Sequence, residues 1–158
     1  MPSQSVMNYL RSHRVPFSRQ RHPPAYSAQE IAEKAHISGY RVVKTVVVKL
    51  DGHLALCVLP ATERVNFGLL RQAAGCHKAE LAEEDEFVAS FPLCEPGAPP
   101  PFGELYGLSV FISDSLRQQT SLAFGCGDAS ERVVLTWQDF TELEHPVLMT
   151  GEQRCAIG

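Results

Sequence analysis

The sequence predicts an α+β fold in which short helices flank a curved, mixed and mostly antiparallel sheet. Residues 41–50 are rich in β-branched side chains and contain no breaker, which is typical of a strand covered on both faces. The dipeptide Asp51-Gly52 follows and favours a tight hairpin to a partner strand over residues 53–59. Helical and strand-like segments then alternate irregularly, which argues against a doubly wound parallel sheet.

The helices are predicted by the signals at their ends. Residues 3–13 can form a first helix, and capping boxes at Ser27 and Thr136 can each begin another. Asn66 is placed to cap a helix that continues to Ala73. The remaining segments are a short strand over 77–81, a helix over 82–89, a proline- and glycine-rich loop over 90–103, and strands over 108–112, 121–124 and 132–135.

The length of 158 residues and the hydrophobic content of 44% fit one compact domain over residues 1–158. No apolar run approaches the roughly 20 residues that a membrane helix needs. The segment Met1–Ser5 lacks the basic start of a signal peptide, so we expect a cytoplasmic protein without a membrane partner.

The charge is unevenly distributed along the chain. Residues 1–50 carry eight Lys or Arg and two acids, a balance of +6, although the whole chain has a net charge of −4. The basic third can be a polyanion-binding face or a solvated surface without a partner. The acidic total argues against broad electrostatic binding of DNA, whereas a local contact with one RNA end remains compatible with it.

The cysteines and histidines predict no metal site. Neither a CxxC pair nor paired histidine spacing is present, so we expect free thiols in a reducing compartment and no bound metal. The residues concerned are Cys57, Cys76, Cys94, Cys126, Cys155, His13, His22, His36, His53, His77 and His145.

Two features can carry chemistry. Lys44 interrupts the apolar strand and shares a face with Val42 and Val46, so it either reaches solvent from a strand end or lies in a wet cleft. The segment 95–103 is stiffened by prolines, and its glycines permit close backbone approach. It can be a stiff connection or a loop that presents amide and carbonyl groups to a small ligand.

Together these features belong to a longer signature. It comprises His22-Pro23-Pro24-Ala25, Ala28-Gln29-Glu30-Ile31-Ala32, Val43-Lys44-Thr45-Val46, Asp51-Gly52, Leu59-Pro60-Ala61, Gly97-Ala98-Pro99-Pro100-Pro101-Phe102-Gly103, Asp114 and Val133-Val134-Leu135. In these residues the chain resembles the YbaK/ProX family of trans-editing aminoacyl-tRNA deacylases, which is related to the editing domain of bacterial prolyl-tRNA synthetases. The resemblance covers about residues 20–143.

The resemblance implies hydrolysis of the ester between a wrong amino acid and the terminal adenosine of a tRNA, without metal or cofactor. Lys44 would hold the terminal phosphate, and the loop Gly97–Pro101 would hold the aminoacyl group, with alanine or serine the expected residue. The partner would be the acceptor end of an aminoacyl-tRNA, with or without a docked synthetase. The resemblance also implies substrate-binding positions at His22, Thr45, Gly97, Ala98, Pro101, Phe102, Gly103 and Gly127.

Two departures from the family pattern affect specificity. The turn around Gly127 lacks the histidine that the alanine-specific branch often carries, and Pro99 replaces a residue with a free amide. A non-catalytic adaptor of the same fold and a binding protein for a free amino acid or nucleotide are the alternative functions. Retention of Lys44 favours the deacylase over the binding protein, because a free amino acid needs no phosphate-facing cation.

Overall fold

The computed structural model describes residues 2–21, 41–87, 100–117, 121–126 and 131–149. None of the helices in these ranges is long and apolar enough to cross a membrane. In chain order the elements are α1 Pro2–Ser12, β1 Ser18–Arg21, β2 Arg41–Leu50, β3 His53–Pro60, α2 Phe67–Ala74, β4 Ala79–Leu81, α3 Glu84–Phe87, α4 Gly103–Tyr106, β5 Ser109–Ser113, a 3-10 turn Asp114–Leu116, β6 Ser121–Gly125, β7 Glu131–Thr136, α5 Trp137–Glu144 and β8 Val147–Met149.

The strands form one mixed sheet in the order β1-β7-β6-β2-β3-β5-β8, and β4 pairs with β2 outside this path. The pairs β1–β7, β6–β7, β2–β3 and β2–β4 are antiparallel, whereas β2–β6, β3–β5 and β5–β8 are parallel. Because both kinds of pairing occur and helices accompany the sheet, the predicted α+β class is confirmed.

Each face of the sheet carries its own apolar cluster. On one face, Val43 and Val47 of β2 pack with side chains from α1 and with Phe140 of α5. On the other face, Val48 and neighbouring side chains of β3 pack against Leu70 of α2. The central strand β2 is therefore covered on both sides, as its β-branched sequence predicts.

The hairpin turn and two of the helix caps that the sequence predicts are found in the structure. Asp51 and Gly52 adopt positive φ angles of 49° and 87° in the β2–β3 hairpin. The side chain of Asn66 accepts a hydrogen bond from Leu69 N at 3.1 Å and caps α2. Thr136 caps α5 in the same way, through Asp139 N at 3.0 Å.

Other elements differ from the sequence-based expectation. The strands β1 and β8 and the short helix α4 were not predicted, and β3 extends through Pro60 rather than ending before it. Of the helix expected over 82–89, the structure describes Glu84–Phe87. The helix expected after Ser27 lies outside the described residues.

Candidate functional site

Lys44 lies on the face of the sheet that α2 covers. Its neighbours on this face of β2 are Val42 and Val46, and its partner across the hairpin is Leu59. The side chain is half-buried, and no described residue gives it an ion pair or a hydrogen bond. An ammonium in such surroundings is costly unless a ligand or water supplies the missing contacts. Both a solvated lysine and a lysine in a wet cleft are compatible with this position.

Among the described strands, one edge of β2 is left without a strand partner beside Lys44. One edge of β2 is paired with β3, but on the other edge β6 pairs only with the first two residues of β2 and β4 only with the last three. Between them, Val43 O accepts a hydrogen bond from Arg132 Nη1 at 3.2 Å, and Val47 O accepts one from Ala82 N at 3.1 Å. A crevice where neighbouring strands change is a common place for a ligand to reach a sheet.

Arg132 of β7 lies on the same face as Lys44. Arg132 pairs with Gly125 of β6. The parallel pairing of β2 with β6 ends at Val42 and Ala123, two residues before Lys44 and Gly125. Since glycine has no side chain, the arginine side chain can cross β6 at this point to reach Val43 O of β2. The position of Arg132 on the face of Lys44 is not visible in the sequence, because it depends on how β6 and β7 pair.

A cavity of about 270 Å³ lies on this face beside Leu59, the strand partner of Lys44. Its wall includes the carboxylate of Glu63, whose oxygens accept hydrogen bonds from Ser115 Oγ at 3.0 Å and Ser113 Oγ at 3.5 Å. These hydroxyls hold the carboxylate in place. The lining residues are Leu59, Glu63, Arg64, Val65, Asn66, Leu69, Ser113 and Met149.

The predicted site residues do not all share this face. Because side chains alternate along a strand, Thr45 points away from Lys44 and toward the cluster around Val43 and Val47. Any role of Thr45 in the Lys44 crevice would therefore use its backbone. Of the remaining predicted site residues, His22, Gly97, Ala98 and Gly127 lie outside the described residues.

Phe102 belongs to the core. Its side chain is fully buried, with ring centroids 6.0 Å from Phe140, 6.3 Å from Phe124 and 5.9 Å from Tyr9. A ring packed in this way has no surface left for a substrate. We therefore assign the Phe102 side chain to packing rather than to the substrate contact expected from the sequence.

Gly103 and Pro101 end the proline-rich loop, and both are buried. A Cβ on Gly103 would lie 2.1 Å from Leu108 O and 2.5 Å from Val110 Cγ2. Glycine is required here because the chain passes too close for any side chain. This close packing fixes the end of the loop whose preceding residues are the predicted aminoacyl-binding segment.

Some of the positive charge in residues 1–50 is neutralised by carboxylates of the same protein. Arg19 forms an ion pair with the buried carboxylate of Glu131, on the face of the sheet opposite Lys44. Lys49 contacts Glu86 and, at 3.6 Å, Glu80, and hydrogen bonding to Glu86 raises its pKa. These two cations therefore stabilise the fold and do not add to a free polyanion-binding face.

The buried thiol of Cys57 is not a reactive group. Burial raises the pKa of the Cys57 thiol to about 12, against a smaller opposing effect of Lys44. The thiol is thus protonated at neutral pH and is a poor nucleophile. Within the described ranges, no group of three or more His, Cys, Asp or Glu residues is arranged to hold a metal ion.

Comparison with known proteins identifies the class of domain. The family model of the aminoacyl-tRNA editing domain matches residues 22–143, which is most of the chain. The chain therefore belongs to the aminoacyl-tRNA editing domain family, and the resemblance seen in the sequence is confirmed. Editing of aminoacyl-tRNA by deacylation is the general activity that this family implies. No curated protein matches the sequence.

Solved structures share the fold at low sequence identity. A candidate trans-editing enzyme for prolyl-tRNA synthetase superposes with a TM-score of 0.77 at 17% identity, covering 93% of this chain and 94% of the other. A hypothetical protein gives 0.77 at 18% identity, with 91% and 96% coverage. A structure from work on computational epitope grafting onto scaffold proteins gives 0.78 at 16% identity, with 93% and 94% coverage.

Proposed function

We propose that the protein hydrolyses the ester of a small amino acid, such as alanine or serine, on the 3′ end of a mischarged tRNA. The observation that carries the proposal is Lys44, a half-buried cation without a partner among the described residues, held at an opening in the sheet. A polyanionic substrate supplies the negative charge that this position lacks.

The reaction needs positioning more than strong chemical activation. In the proposed step, water adds to the ester carbonyl, and negative charge develops on the carbonyl oxygen. The bond to the ribose oxygen then breaks, and that oxygen takes up a proton to leave as a hydroxyl group, while the amino acid leaves as a carboxylic acid. A fixed cation and backbone amides stabilise the developing charge, and a held substrate reacts faster than a free one.

Each part of the site has a proposed role. The ammonium of Lys44 holds the acceptor end through its negative charge, and the backbone of the segment 97–101 contacts the aminoacyl group. The loop is stiff because prolines restrict it, and its end is anchored by Gly103 packing against Leu108 and Val110. A rigid pocket excludes large side chains more strongly than it distinguishes small ones.

The experiment is a deacylation assay with purified protein on alanyl-, seryl-, cysteinyl- and phenylalanyl-tRNA, with and without a chelator. We expect rapid release of alanine or serine, sparing of phenylalanine, and no effect of the chelator. Preference for the phenylalanyl ester would contradict size exclusion, and loss of activity with the chelator would contradict the metal-free mechanism. Binding of the tRNAs without release of any amino acid would favour the non-catalytic adaptor instead.

A further inference from the structure

Arg132 is a half-buried cation that has no counter-ion among the described residues. Its Nη1 donates to Val43 O at 3.2 Å, whereas its Nε is buried and has no hydrogen-bond partner. No described carboxylate forms an ion pair with it. Burial lowers the pKa of its guanidinium, which reflects the cost of keeping the charge away from water.

Comparison of the half-buried cations of the sheet shows which of them have a carboxylate partner. Among the described residues, the half-buried Lys or Arg side chains are Lys44, Lys49 and Arg132. Lys49 has Glu80 and Glu86 as partners. Within the described part of the chain, neither Lys44 nor Arg132 has a carboxylate partner, and the two lie on the same face of the sheet.

The guanidinium is oriented for a second contact. A carbonyl oxygen already holds Nη1, whereas the buried Nε has no hydrogen-bond partner, so the edge formed by Nε and Nη2 has an unused donor. Such an edge matches two oxygens of a phosphate, and an arginine that binds in this forked way gives geometry as well as charge. The bond to Val43 O places the guanidinium beside the residue that precedes Lys44, so that one phosphate can meet both cations.

We propose that Arg132 and Lys44 together bind one phosphodiester group of the RNA acceptor end. The inference rests on the proposed function for the identity of the anion, and it adds a second, specific cation to the site. Arg132 is then a substrate-binding residue that also braces the exposed edge of β2 through Val43. Its loss weakens binding of the phosphate, and it affects the ester only through how firmly the acceptor end is held.

The test compares two probes by calorimetry. One is the non-hydrolysable 3′-alanylamide of adenosine, and the other is the same compound with a 5′-phosphate. We expect wild-type protein to bind the phosphorylated probe at least about tenfold more tightly, which corresponds to about 1.4 kcal/mol. Arg132→Gln should lose most of this preference and bind the unphosphorylated probe as wild type does.

Two further variants separate charge from structure. Arg132→Lys breaks the same forked geometry as Arg132→Gln but keeps the positive charge, so it should retain part of the phosphate preference. Lys44→Gln combined with Arg132→Gln should cost less than the sum of the single changes, because both residues contact the same group. Arg117→Gln is the matched control, since Arg117 is exposed and lies 3.3 Å from Asp114, an ion pair without hydrogen-bond geometry.

The outcomes distinguish this inference from the proposed function. Full phosphate preference in Arg132→Gln overturns the inference, whatever the deacylation assay shows, and limits Arg132 to bracing β2. No phosphate preference in the wild-type protein overturns it as well. Loss of preference in Arg132→Gln supports the anion site even if no tRNA is deacylated, in which case the proposed hydrolysis alone fails.

Discussion

Replacement of Gly103 by alanine tests how the proline-rich loop is anchored. The added Cβ would lie 2.1 Å from Leu108 O and 2.5 Å from Val110 Cγ2, whereas a carbon–oxygen contact normally needs about 3.3 Å. The backbone around Leu108 must therefore move by about 1 Å, and this places the cost near the upper end of overpacking penalties, about 3 kcal/mol. For a domain of this length, that corresponds to a fall in melting temperature of about 6–12 °C.

The assay is thermal unfolding followed by circular dichroism, with urea unfolding as a second measure. Gly68→Ala in α2 is the matched control, because its Cβ would meet only Asn66 Oδ1 at 3.3 Å. Alanine also favours the helix by up to about 1 kcal/mol, so this variant should stay within about 1 kcal/mol of wild type. A Gly103→Ala protein as stable as wild type refutes the steric reasoning. If that stable variant also lost deacylation, Gly103 would serve the substrate directly.

Two further predictions follow from titratable groups. Hydrogen bonds from Lys78 N and His77 N lower the pKa of Asp51, so Asp51→Asn should destabilise the protein at neutral pH. The difference from wild type in urea unfolding should begin to shrink near the ordinary aspartate pKa of about 4 and should be lost as the pH falls through the lowered pKa. An equal difference at pH 7 and pH 2.5 would contradict this. Cys57 is buried and has a pKa of about 12, whereas Cys76 is partly exposed. A thiol reagent at pH 8 should therefore label Cys76 in the native protein and Cys57 only after unfolding, which peptide mass spectrometry can read. Labelling of Cys57 in the native protein would contradict its burial.

Short sequence motifs predicted those turns and helices whose formation depends on residues adjacent in the chain. Asp51-Gly52 predicts its hairpin because glycine and aspartate tolerate positive φ, and Asn66 predicts its helix because its side chain satisfies a free amide. The strands β1 and β8 have four and three residues, and they are strands only because β7 and β5 pair with them. No local pattern in such short segments indicates a distant partner.

The same limit applies to the site. Alternation along β2 predicts correctly that Lys44 shares a face with Val46, but it does not show that β6 and β4 leave an opening beside it. The sequence also groups Phe102 with the substrate loop, whereas packing against rings from distant elements places it in the core. Arg132 was missed because it joins Lys44 only through the pairing of two later strands.

The central claim is that Lys44 serves the substrate rather than the fold, and single-turnover deacylation of alanyl-tRNA by Lys44→Met tests it most directly. Methionine keeps the length and suits the apolar face, so the variant should melt no lower than wild type. Loss of the positioned charge should slow hydrolysis by about a hundredfold, equivalent to about 3 kcal/mol. Lys49→Met, on the same strand but the opposite face, should keep nearly full activity. A folded Lys44→Met protein with wild-type turnover would contradict the account.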